Sequence, residues 1–292
     1  MFHMVNPHLR HTLKKLIINV KFIAMQQKLS LKTASNSPST YTGGITIKSN
    51  EELDAVRRAG KVVAAVHEAL KQALRPGLTT KDLDIIAERE IRKQGAIPTF
   101  KGYFGFPASI CASLNEEIVH GIPCNRVIRA GDIIKLDVGA TLDGYIGDAA
   151  VSLPVGDISR HAMDLIEATK ISLDEGIKAA IPGNRTGDIG AAVEAYAISR
   201  GYSVVREYVG HGVGRFLHED PQIPNYGPSG MGDLLRPGMV IAIEPMLNIG
   251  EATTRVLDDQ WTVVTADSSL SSHFEHTVII TESGPEITTG VM

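Results

Sequence analysis

The strongest constraint in this chain is that it repeats itself. Pro76, Gly77, Thr80, Asp82, Glu88 and Gly95 recur as Pro182, Gly183, Thr186, Asp188, Glu194 and Gly201 at one constant offset. After each set comes a glycine-led apolar stretch ending in a carboxylate, from Gly131 to Asp137 and from Gly238 to Glu244. Chance supplies a few such identities, but hardly all six at one offset, each set followed by such a strand. The pattern predicts a duplicated α/β half, roughly residues 50–145 and 157–250, facing each other within one domain. A cleft between pseudo-symmetric halves is a natural location for a site.

Local signals agree with that frame. Ser49 and Glu52 make a capping box, and Leu53, Val56, Val63, Val66 and Leu70 follow at helical spacing. Pro76-Gly77 stops this helix, and a second runs from about Thr80 to Gly95. The first 44 residues stand apart. Seven of the 29 basic residues and none of the 33 acidic ones precede Glu51, so the remainder carries 22 against 33, a charge of −11. Residues 1–44 read as a basic, Ser/Thr-rich disordered leader, and 45–292 as a single catalytic domain. The leader is either an organellar transit peptide or the product of an upstream start, with Met25 as the true beginning. The acidic body argues against bulk nucleic-acid binding, and the short apolar run 16–24 cannot span a bilayer. Cys111 and Cys124 alone make neither a disulfide framework nor a thiolate zinc site.

The chemistry lies in four strand-borne carboxylates and a glycine-histidine run. Asp143-Gly144 is a two-residue hairpin signal between β-rich segments. That turn sets Gly139 opposite Asp148 and puts Asp137 on the same face, so the two aspartates are diagonal neighbours. Because Ile133, Ile134, Leu136 and Val138 make the strand apolar on both sides, the carboxylates are buried together. Buried like charges cost several kcal/mol, roughly, unless a cation joins them. Glu244 ends another apolar strand and Glu275 sits in a third β-run. A divalent site explains all four at once. His211 lies between two glycines and His218 follows seven residues later, in a segment that matches neither the helical zinc-protease motif nor a dinucleotide loop.

Taken together, these residues resemble the type I methionine aminopeptidases of the pita-bread metallopeptidases, across residues 45–288. The resemblance implies an α+β pita-bread fold, two pseudo-symmetric halves with antiparallel sheets around a central dinuclear metal site. Its ligands would be Asp137, Asp148, His211, Glu244 and Glu275, with Asp148 and Glu275 bridging two divalent ions. Two such ions about 3.5–4 Å apart would activate a bridging water for attack on the scissile carbonyl, with Glu244 handling the proton. His120 and His218 match the two non-ligand histidines that hydrogen-bond the scissile amide and the tetrahedral oxyanion. Tyr103, Phe106, Cys111 and Trp261 match the methionine pocket, although Phe106 stands where tyrosine is usual and Leu217 where phenylalanine is common. A thioether among aromatic rings and a thiol gains about 0.3–1.5 kcal/mol per sulfur–aromatic contact.

The expected activity is removal of the N-terminal methionine from nascent polypeptides whose second residue is small, close to the ribosome, by a monomer with no membrane or nucleic-acid partner. A cytoplasmic location is expected, or an organelle if residues 1–44 act as a transit peptide. One imidazole with four carboxylates suits manganese or iron(II) and also holds cobalt or zinc. The short span between Glu244 and Glu275 leaves no room for the helical insertion of the type II enzymes. Prolidases and Xaa-Pro aminopeptidases share the metal pattern but add a large N-terminal domain, for which residues 1–44 are too few. A binding-only relative would have lost ligands, and every one is present here.

Overall fold

A computed structural model describes residues 43–290, so the reading of residues 1–42 lies outside the described chain. The first half opens with helix α1 (Asn50–Ala73), capped as expected: Ser49 N donates to the Glu52 carboxylate at 2.9 Å. Helix α2 (Thr80–Lys93) follows, with Thr79 and Asp82 forming a second capping box. Strands β1 (Ile97–Pro98), β2 (Cys111–Leu114) and β3 (Glu117–Val119) lead to the long hairpin of β4 (Ile133–Leu142) and β5 (Tyr145–Pro154). β4 pairs with β5 on one side and with β1 and β2 on the other, all antiparallel. The second half repeats the order with helices α3 (Arg160–Ala179) and α4 (Thr186–Ser199). It continues through β6 (Ser203–Val204), β7 (Gly210–Gly212), β8 (Glu219–Ile223) and β9 (Val240–Ile243).

The duplication is visible in individual hydrogen bonds. Gly77 N donates to Ile128 O at 2.9 Å, and Gly183 N to Leu235 O at 3.1 Å. Ala96 N reaches back to Ile91 O and Tyr202 N to Ala197 O, both at 3.1 Å. These close α2 and α4 over Gly95 and Gly201, whose φ values of 77° and 81° favour glycine. Each half also has its own core. α1 and α2 pack Val63, Val66, Leu70, Leu83 and Ile91 onto Ile134, Leu136 and Val138. α3 and α4 pack Leu165, Leu173, Ile177 and Ile189 onto Ile241, Ile243 and Val278.

The second half departs from the expected 157–250 span. In the first half, β4 meets its partner β5 after a two-residue turn, with Leu142 opposite Tyr145. β9 instead pairs with β14 (His276–Thr281). Between them lie β10 (Met246–Asn248), β11 (Thr254–Val256), β12 (Val263–Thr265) and β13 (Ser271–His273). β15 (Gly284–Ile287) then closes the five-stranded sheet β15-β14-β9-β7-β8. The inserted strands form two small sheets, β13-β10-β6 and β11-β12-β3, and the second of these borrows a strand from the first half. The halves are stitched where β5 meets the segment before β14. Glu275 N donates to Ala150 O at 2.9 Å, and Ala150 N returns to Glu275 O at 3.3 Å.

Candidate metal centre

Each carboxylate owes its position to strand register. Gly139 stands opposite Asp148, as the Asp143-Gly144 turn requires, and φ values of 52° and 77° at those two residues are those of a tight hairpin turn. Asp137 is therefore two residues along the same face of β4 from Asp148's partner, directly across from Cys111 on β2. Glu275 is held beside Asp148 by the Ala150 pairing and by Thr277 Oγ1, which accepts from Asp148 N and donates to Asp148 O. Glu244 leaves β9 immediately before Pro245, and Asn225 Nδ2 holds its backbone carbonyl at 3.0 Å.

His211 lies on β7 for a reason of close packing. A Cβ on Gly210 would sit 2.2 Å from Ala242 O, and one on Gly212 2.2 Å from Asp220 O. Only glycine on both sides lets β7 slot between β8 and β9 with His211 turned inward. Its Nδ1–H donates to Gly212 O at 2.9 Å, which fixes the tautomer and leaves the Nε2 lone pair free. That nitrogen is 3.6 Å from Glu244 Oε1 and 3.9 Å from Asp148 Oδ2.

Among the described residues, Asp148, His211 and Glu275 offer ligand atoms all within 4.8 Å of one another. Asp148 Oδ1, Glu275 Oε1 and Asp137 Oδ1 are buried with no hydrogen-bond partner in the protein. Burial pushes the Asp137 carboxyl up to about 7. Burial, and after it the charge of Asp137, drives Asp148 well above the usual range. Glu244 and Glu275 are raised in the same way, by burial first and then by the neighbouring carboxylates. An unpaired buried acceptor is costly and a cluster of four mutually repelling carboxyls more so. One unprotonated imidazole nitrogen and several orphaned carboxylate oxygens are the donor set of a divalent cation, so the residues present fit a metal.

Around the centre stand the other residues singled out in the sequence. His120 follows β3 with φ 60° and faces the Tyr208 ring edge-on at 5.8 Å. Burial lowers it to about 4, so it is a neutral ring at neutral pH. His218 lies on the open side, its Nδ1 2.7 Å from the Tyr103 hydroxyl and its ring 4.3 Å from that of His211. Tyr103, Phe106, Cys111 and Trp261 fall in one apolar cluster with Leu217 and Ile122, fed by both halves. Phe106 and Trp261 meet edge-to-face at 5.1 Å.

His273 was missed. It is fully buried at the end of β13, opposite Met246, with Nε2 3.9 Å from Glu244 Oε2 and neither ring nitrogen hydrogen-bonded within the protein. Its place depends on a strand pairing that local sequence does not announce.

Comparison with known proteins gives the family and the fold. Residues 54–282 match metallopeptidase family M24. Methionine aminopeptidase 1 of Bacillus subtilis is 56% identical over 247 residues, 85% of this chain and 100% of its own length. A methionine aminopeptidase 1 of Mycobacterium tuberculosis is 49% identical over 83% of this chain and 94% of its own. The crystal structure of methionine aminopeptidase from Rickettsia prowazekii superposes with a TM-score of 0.84 at 41% identity, covering 85% of this chain and all of that one. A prolidase from Pyrococcus furiosus, 23% identical with a TM-score of 0.68, spans 84% of this chain and 66% of its own and shares the fold.

Proposed function

The chain belongs to metallopeptidase family M24, and from that premise we propose how its residues remove an N-terminal methionine. It is a metal-dependent hydrolase with the pita-bread fold, acting on the amino termini of polypeptides. The carrying observation is the buried convergence of Asp148, His211 and Glu275, with Asp137 and Glu244 alongside, and one oxygen each of Asp137, Asp148 and Glu275 left without a protein partner.

In this reading those five side chains hold two divalent ions, manganese, iron(II), cobalt or zinc. When bound, the ions polarise the scissile carbonyl and lower the pKa of water. Glu244, at the partly open edge of the cluster, accepts a proton from the attacking water and passes it to the leaving amine. His218 and the neutral His120 reach the scissile amide and the oxyanion as it develops. The cluster of Tyr103, Phe106, Cys111 and Trp261 takes the methionine side chain, whose flexible thioether packs against the Phe106–Trp261 pair. Substrates are nascent chains with a small second residue, met near the ribosome by a monomer. The enzyme works in the cytoplasm, or in an organelle if the basic leader acts as a transit peptide. No helix among the described residues is long and apolar enough to cross a membrane.

The test is release of free methionine from Met-Ala-Ser set against Leu-Ala-Ser, using metal-stripped protein titrated with each of the four metals. Release from the methionine peptide alone, appearing with metal, is the expected result. Folded, metal-loaded protein that releases nothing would sink the reading.

A further inference from the structure

The segment just before α1 packs against the residues that follow His218. Lys48, its side chain 5% exposed, sends Nζ to Glu219 Oε2 at 2.9 Å, and Glu219 is itself 3% exposed. Thr46 Oγ1 donates to the same oxygen at 2.8 Å. The other oxygen, Oε1, accepts from the backbone N–H groups of Arg215 and Phe216 at 3.0 and 3.2 Å. Both sides of this carboxylate are thus committed, one to the strap 44–48 and one to the loop 214–218. The strap is anchored further by Lys48 N on Gly238 O at 2.9 Å and by Gly44 N on Asp220 Oδ2 at 2.7 Å. The fit is tight enough to specify a glycine. A Cβ on Gly214 would stand 2.7 Å from Glu219 Oε1 and 2.8 Å from Lys48 Cε.

The loop gathered this way carries His218, the residue directly before Glu219, and points it at the Tyr103 hydroxyl. We propose that the buried Lys48–Glu219 pair, with Thr46, is a positioning device: a clamp from outside the duplicated halves that fixes His218 between Tyr103 and His211. A buried carboxylate stripped of its ammonium seeks other donors or water, and the two N–H groups it holds follow it. Small displacements suffice, because a shift of about 1 Å in a catalytic group costs up to about 100-fold in rate. The claim rests on His218 touching substrate, so the test separates the two ideas.

Lys48→Met is compared with the unaltered full chain, alone and in a His218→Ala background, at saturating metal on Met-Ala-Ser. The clamp predicts a fall in kcat of about 10-fold with bound metal and KM unchanged, and no further fall when His218 is already absent. In parallel, histidine-ring NMR, assigned with His218→Ala, reads geometry without activity. The His218 signals should move in Lys48→Met while those of His67 stay. Should Lys48→Met fail to fold, Thr46→Val removes a neutral donor from the same oxygen and should give a smaller loss with the same background dependence. Equal losses in both backgrounds, or unmoved His218 signals in a folded variant, would overturn the clamp. A His218→Ala enzyme of full activity would instead defeat the role given to His218, leaving the ring signals to decide the clamp.

Discussion

Protonation of His67 gives a sharp test of how the first half is packed beneath the centre. The ring is buried between α1 and β4, and Nε2–H donates to Leu136 O at 3.2 Å. Burial, and after it the nearby His276, holds its pKa at about 4, against an ordinary value of 6.5. The unfolded chain therefore binds a proton at a pH where the folded chain refuses it. The contribution of His67 to stability is whole above pH 6.5, falls as the pH drops toward 4, and is flat below. A gap of this size is worth about 3 kcal/mol in full and about 2.5 kcal/mol by pH 4.5. His67→Gln keeps an N–H donor for Leu136 O and loses the titration. At pH 8 the variant should be less stable by about 1 kcal/mol for its imperfect fit. The two stability curves should cross near pH 6, and at pH 4.5 the variant should be the more stable by about 1–2 kcal/mol. Urea unfolding of metal-free protein across that range reads both quantities. Parallel curves, with a constant difference from pH 8 to pH 4.5, would refute the burial argument.

Other perturbations have equally definite outcomes. Asp148→Asn or Glu275→Gln removes a charge from the tightest part of the cluster and should abolish both metal pairing and methionine release, read by metal analysis and peptide turnover. His120→Ala should keep its full metal content while turnover drops by about 100-fold or more, and an unchanged rate would refute its role. Gly212→Ala drives a methyl against the Asp220 backbone and should cost about 1–3 kcal/mol of stability, with weakened metal binding because His211 is next in the strand. Thermal melts with and without metal would separate those two effects.

What could be read from the sequence follows the reach of each physical rule. The Asp137–Asp148 pair was legible because a two-residue turn and a side-chain period of two leave a single register. Glu244 was legible as the repeat's counterpart of Asp137. The flanking glycines of His211 were noticed, but their reason was not: they admit the backbones of β8 and β9, which are distant in sequence. The span of the second half was misjudged because its hairpin partner, β14, arrives only after four intervening strands. His273 and the Lys48–Glu219 clamp were invisible for the same reason. One depends on the pairing of β10 with β13, the other on a strap meeting a loop 171 residues away. Local pattern fixes what a strand presents, while long-range packing decides what it is presented to.

The central claim is that five side chains jointly hold two divalent ions. Anomalous diffraction from manganese-loaded crystals, collected at the manganese edge, tests it most directly. Two peaks about 3.5–4 Å apart, enclosed by Asp137, Asp148, His211, Glu244 and Glu275, are the predicted result. No peak there, or strong peaks only at surface carboxylates, would contradict it.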